Sequence, residues 1–126
     1  MGKQPLTLKQ WAEIAFHNAK SKGFHDDDEA TPTHQLIGTW FMNLHSEVSE
    51  AWEAYRAGKL FLSCDKAEKM QAMGLKPLSC IEEELADIVI RVFDTAEALG
   101  INIEEAVAAK HEYNMSRPMK HGGKLA

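Results

Sequence analysis

Between Thr33 and Gly58 the apolar side chains Ile37, Trp40, Phe41, Leu44, Val48, Ala51, Trp52 and Tyr55 fall at offsets 0, 3, 4, 7, 11, 14, 15 and 18 from the first. That spacing follows the 3.6-residue helical period on one face for about five turns and has no period-two alternation. It predicts a helix from Thr33 or His34 to about Ala57, stopped by Gly58. An amphipathic helix this long must bury its stripe against other elements, so the rest of the chain is constrained to supply them.

Three further helices can be read beside it. Thr7 caps a first helix over about Leu8–Lys22, with Leu8, Trp11, Ile14 and Ala15 at helical spacing and Gly23 as its stop. Ser79 and Glu82 form a capping box that opens a third, whose stripe is Ile81, Leu85, Ile88, Val89, Val92, Phe93, Ala96 and Leu99, closed by Gly100. Asn102 and Glu105 open a fourth, which runs through Val107 and ends before Pro118. No stretch reads as a strand. The link His25–Pro32 carries a run of acids and reads as a solvated loop, and 59–78 is an irregular insert with a short helix around Asp65–Met73, expected to be the most mobile segment. The predicted class is all-α: four main helices in a bundle, one domain over residues 1–126.

Composition narrows the function. Fourteen Lys and Arg against nineteen Asp and Glu leave a net charge of -5, the wrong sign for a groove that tracks nucleic-acid phosphates or an anionic membrane. The N-terminal segment has no apolar core of a signal peptide, and the run Ile88–Ile90 is far too short to span a bilayer, so the expected compartment is the cytoplasm. Cys64 and Cys80 lack any paired or His-associated spacing and read as incidental thiols.

The informative residues are Glu47 and Glu50 on the second helix and Glu84 and Asp87 on the third main helix. Each pair is spaced i, i+3, side by side on one flank. At 100° per residue, Glu47 and Glu50 lie about 80° and 140° from the centre of their stripe, and Glu84 and Asp87 about 100° and 160° from theirs. If the stripes pack together, four carboxylates can meet at one edge, where repulsion calls for a hard divalent cation such as Mg²⁺. The competing reading is four solvated surface acids. A di-iron site is disfavoured because no histidine follows a glutamate by three positions. Glu82 and Glu83 suit the helix N-terminus.

The C-terminal stretch 110–126 is basic, with four Lys or Arg and one Glu. Lys110, Asn114 and Arg117 share one helix side at i, i+4, i+7, a spacing suited to a phosphate chain; the alternative is a basic tail that aids solubility. An acidic wall and a basic arm together point to a nucleotide.

The strings His45-Ser46-Glu47-Val48-Ser49-Glu50-Ala51 and Glu84-Leu85-Ala86-Asp87-Ile88-Val89-Ile90-Arg91, then Lys110-x-x-x-Asn114-x-x-Arg117-Pro118 and Lys120-His121-Gly122-Gly123-Lys124, resemble the MazG-like nucleoside triphosphate pyrophosphohydrolases of the all-α NTP pyrophosphatase superfamily. The resemblance covers nearly the whole chain, including Lys22-Gly23-Phe24, and leaves the 59–78 insert without a counterpart. It implies Mg²⁺-dependent hydrolysis of a (d)NTP to the monophosphate and pyrophosphate, as in nucleotide-pool cleaning. It also implies Glu47, Glu50, Glu84 and Asp87 as metal ligands, and Lys110, Asn114, Arg117 and Lys120 as the phosphate-contacting end. A homodimer or dimer of dimers, with sites completed by the neighbouring chain, follows from the same resemblance. Ile90, about 140° from its stripe, is an apolar residue that wants such a partner.

Four carboxylates and a triphosphate carry enough negative charge to call for more than one Mg²⁺, with Mn²⁺ an alternative ion. Glu50, further from the apolar stripe than Glu47, is the choice for general base. Arg91 can touch phosphate or pair with Asp87 or Asp94. Among aromatics able to stack on a base, Trp11, Trp40 and Trp52 read as core, which leaves Phe24. Two alternatives stay open: a phosphohydrolase acting on other phosphoanhydrides, and a nucleotide-binding regulatory module without turnover.

Overall fold

The computed structural model describes residues 4–26 and 33–118. It is all-helical: α1 (Leu8–Ser21), α2 (His34–Arg56), α3 (Ala67–Ala72), α4 (Cys80–Ala98) and α5 (Ile103–Met115), with no strand among the described residues. The acidic link between 27 and 32, together with Lys120 and the motif that follows it, lies outside them.

The caps explain where the helices begin. Thr7 and Gln10 bond reciprocally at the start of α1, and Ser79 and Glu82 at the start of α4, so that in each case a side chain satisfies a backbone N–H that has no helical partner. Thr33 and Asn102 accept from the backbone N–H groups of Leu36 and Glu105. The ends share one device. Gly23 (φ 87°) and Gly100 (φ 71°) adopt the left-handed conformation, and the next residues, Phe24 and Ile101, donate back to the carbonyls of Ala19 and Ala96 at 3.0 and 2.8 Å.

Both α1 and α2 pack on α4, while α5 touches α1 and α4. The covered interior is small: Ala12, Trp40, Phe93 and Ala96 at the helix contacts, with Cys64 and Ala67 in the insert. His25 is also buried. Its Nε2 lies 2.7 Å from Asp94 Oδ1, and its ring sits 4.6 Å from Phe16 and 5.9 Å from Trp40. This contact joins α1, α2 and α4 and fixes the turn that carries Phe24.

Two expectations differ from what is found. Trp11 and Trp52, read as core, are 47% and 57% exposed; for Trp52 the reason is that, among the described residues, α4 is the only helix packed on α2 and one helix cannot cover so broad a stripe. Phe41, Val48, Leu85 and Val89 stay exposed with them. The 59–78 insert, expected to be the most mobile segment, is tied down by backbone bonds. Cys64 donates to Leu78, Cys80 to Leu62 and Ile81 to Leu60, at 2.8–2.9 Å, around an isolated antiparallel bridge between Ser63 and Ser79.

Candidate metal centre and its cleft

Glu47 and Glu50 on α2 and Glu84 on α4 each present one carboxylate oxygen to a common point, the three oxygens lying within 4.8 Å of one another. The i, i+3 spacing puts the α2 pair on one flank, and the packing of α2 on α4 adds Glu84. Asp87 is not in this set of three. It stands one turn further along α4, on the wall of the same cleft.

The electrostatics are those of crowded acids. Glu50 is held above the usual carboxylate range, first by its hydrogen bond with Glu47 and then by that group's charge. Burial raises the Glu84 carboxyl, and the charges of Glu50, Glu83, Asp87 and Glu47 push it the same way. Burial also raises Asp87, with Glu47 and Glu83 adding to it. One Glu84 oxygen, Oε2, is buried and has no hydrogen-bond partner among the described residues, although a buried carboxylate oxygen ordinarily acquires one.

This donor set fits a hard divalent cation. It offers oxygen alone, gathers it from two helices, and contains a buried acceptor still in want of a positive partner. The pattern suits Mg²⁺ or Mn²⁺ better than a softer ion.

The acids open onto a cleft of about 780 Å³ that residues of the insert also line. Lys59 and Lys66 reach it, as do Cys64 and Cys80. Lys66 Nζ bonds Glu83 at 2.6 Å and Asp65 at 3.0 Å, which raises the lysine well above its ordinary value. Glu83 is lowered first by the hydrogen bond it takes from Cys64 and then by Lys66, and the same contact pushes the Cys64 thiol up. Glu82 keeps the N-terminal role read from sequence: Lys76 and the Ser79 cap hold it at about 2.

A second, smaller cleft of about 210 Å³ adjoins the first and shares Glu47, Asp87 and Ile90 with it. Phe24 and Arg91 line this one. Arg91 Nε donates to Glu47 Oε1 at 3.2 Å, and its guanidinium lies 5.7 Å from the Phe24 ring centroid. Its carboxylate partner is therefore on α2, in place of the sequence choices Asp87 and Asp94, the latter already engaged by His25. Ile90 is half-exposed between the two clefts.

The C-terminal residues are elsewhere in the single chain. Lys110 and Asn114 line a shallow groove on α5 with Val107 and His111, with none of the four carboxylates beside them. Lys110 Nζ lies 4.8 Å from the Tyr113 ring centroid, and Arg117 is exposed just past the helix.

Sequence reasoning missed Lys59 and Lys66. A signal was available: the insert leaves α2 shortly after Glu50 and rejoins α4 shortly before Glu84, so both its ends must lie beside the acids. No protein-family model, curated protein or solved structure matches the chain.

Proposed function

We propose that the chain is an Mg²⁺-dependent nucleoside triphosphate pyrophosphohydrolase of the MazG-like kind, releasing pyrophosphate and a nucleoside monophosphate. The observation that carries this reading is the meeting of Glu47, Glu50 and Glu84 within 4.8 Å, together with a buried Glu84 oxygen that has no hydrogen-bond partner among the described residues, in a cleft that Lys59 and Lys66 also line. Acids that hold a cation, facing cations that hold phosphate, suit a phosphoanhydride better than any neutral substrate.

Glu47, Glu50 and Glu84 would hold the ion, with Asp87 available from the next turn. A divalent cation bound there supplies positive charge for phosphate oxygens and lowers the pKa of water. Glu50 is the choice for general base: it lines the cleft and is exposed there, further from the apolar stripe than Glu47. It takes one proton from the attacking water as the new oxygen–phosphorus bond forms at the α-phosphorus. The bond to the bridging oxygen breaks, and pyrophosphate departs with that electron pair. Arg91 holds Glu47 in place from the opposite side. Phe24, exposed over the adjoining cleft, offers a face for the base.

The same reading includes a bundle completed by a second copy of the chain, as a dimer or a dimer of dimers. Trp52, Tyr55, Phe41 and Val48 stand exposed on α2, and α5 buries no residue of its own. On this reading Lys110, Asn114 and Arg117 of one chain complete the cleft of the other.

The test is a panel of the eight common NTPs and dNTPs with Mg²⁺, scored for products. Monophosphate and pyrophosphate are expected. Orthophosphate in their place would make the chain a different phosphohydrolase, and no turnover at all would favour a binding module.

A further inference from the structure

The insert carries four lysines, Lys59, Lys66, Lys69 and Lys76, and its fold treats them differently. Lys59 and Lys66 line the same cleft as Glu47, Glu50 and Glu84. Lys76 pairs with Glu82, outside the cleft lining, and Lys69 is exposed on α3. The backbone bonds from Cys64, Cys80 and Ile81 fix this arrangement. Within one chain, then, the lysines that line the acids' cleft come from the insert and not from the basic C-terminal arm, whose described residues line another groove.

The chemistry of Lys66 suits a ligand. An ammonium group has three donors, and here one goes to Glu83 and one to Asp65. The third is left for an acceptor in the cleft, and the side chain is 62% exposed, so an incoming oxygen can reach it without breaking either pair. Glu83 and Asp65 hold the ammonium in place, as supporting carboxylates commonly do for a binding group. Lys59, exposed at the start of the insert, adds a second positive charge on the same wall. A lysine pair is a usual means of holding a flexible polyphosphate, which it meets as a set of point charges.

We infer that Lys59 and Lys66 bind the β- and γ-phosphates of the substrate, so that the insert is the polyphosphate-holding wall of the site. This rests on the pyrophosphohydrolase reading, and it gives the segment that has no counterpart in the resemblance a role in substrate binding.

Inorganic tripolyphosphate with Mg²⁺ is the probe, because it has no base or sugar. Its binding is measured by calorimetry for the full chain and for Lys59→Gln, Lys66→Gln, Lys66→Arg and Lys69→Gln, alongside KM for pyrophosphate release. Lys59→Gln and Lys66→Gln should each weaken tripolyphosphate binding about tenfold, the loss of one charge-assisted hydrogen bond. KM should rise with it, Lys66→Arg should recover most of the affinity, and Lys69→Gln should bind as the parent does. Lys59→Gln separates a binding role from a loosened insert, since Lys66 is tied to Glu83 and Asp65 whereas Lys59 has no ion pair to lose among the described residues. Equal binding in parent and glutamine variants would overturn the inference, as would an equal loss in Lys69→Gln, which would show general charge attraction. If the parent releases pyrophosphate and the lysine variants are unaltered, the inference alone fails. If the parent releases none while the lysine variants still lose tripolyphosphate, the cleft binds polyphosphate and the hydrolase reading fails.

Discussion

Arg91 on α4 reaches across to α2 and donates to Glu47 at 3.2 Å, so a cation already stands behind the acidic cluster before any ion is bound. The pair is partly buried, with the arginine side chain 33% and the glutamate 14% exposed. It offsets some of the repulsion that holding Glu47, Glu50 and Glu84 together must cost.

Arg91→Ala should therefore destabilise the metal-free protein by about 1–2 kcal/mol, the range for losing a charge-assisted bond at a half-solvated site. Urea unfolding with and without Mg²⁺ measures it. The deficit should shrink when Mg²⁺ is present, because the ion takes over the neutralising charge. Arg91→Lys should restore part of the stability but not the packing against Phe24.

Glu84→Gln should act in opposite directions on stability and activity. It removes a carboxylate that burial and four neighbouring acids disfavour, so the metal-free protein should melt higher than the parent. Pyrophosphate release should fall at least about a hundredfold, since groups that merely support a ligand already cost 10–100-fold when lost. Thermal melting and product assays on one preparation check both, and a variant that keeps its activity would remove Glu84 from the site.

The raised carboxyls also set a pH dependence. Glu50, Glu84 and Asp87 bind protons more tightly folded than unfolded, so between the unfolded value (4.5 for Glu, 3.8 for Asp) and the raised folded value the native state carries more protons. Stability then falls as pH rises through that window. Without Mg²⁺ the melting temperature should rise on going from neutral pH towards 5, and Glu84→Gln should flatten the slope. Glu82 and Glu83, both lowered, act the other way, their stability being lost below 4.5 as pH falls towards their folded values. Mg²⁺ must displace the extra protons, so its affinity, followed by calorimetry, should increase with pH across the upper window.

Ser79→Ala should cost about 1 kcal/mol, the usual loss for a helix N-cap. Ser79 caps α4 and also pairs with Ser63, so the variant should loosen the insert where it meets the cleft. Hydrogen exchange at the Cys64 and Cys80 amides, which bond to Leu78 and Leu62, reports this directly and should quicken relative to the middle of α4.

Trp52→Glu tests the second copy. Trp52 is 57% exposed and stacks on Tyr55 with ring centroids 5.3 Å apart, beside Val48 on the bare stripe of α2. A charge placed there should dissociate the assembly, seen as a halved mass by sedimentation equilibrium, and should lower pyrophosphate release with it. An unchanged mass would move the interface off this face.

The helices were legible because what makes them is local. The apolar period from Ile37 to Tyr55, the caps at Thr7, Ser79 and Asn102, and the stops at Gly23 and Gly100 each act within a few residues, so α1, α2, α4 and α5 could be drawn from sequence to within a residue or two. The same period gave each carboxylate its angle on its own helix, which was enough to pair Glu47 with Glu50 and Glu84 with Asp87. It could not say how far α2 slides or turns against α4. That packing decides that Glu84 joins the α2 pair while Asp87 stands a turn away, that Arg91 goes to Glu47, and that Trp40 is covered while Trp52 is not. Nor does any period run through 59–78, where backbone bonds between residues 14 to 21 positions apart fix the insert beside the acids and bring Lys59 and Lys66 to the lining of their cleft. Angle on a helix is a property of one segment; offset between segments is set by which side chains fill the space between them, and only the tertiary structure contains it.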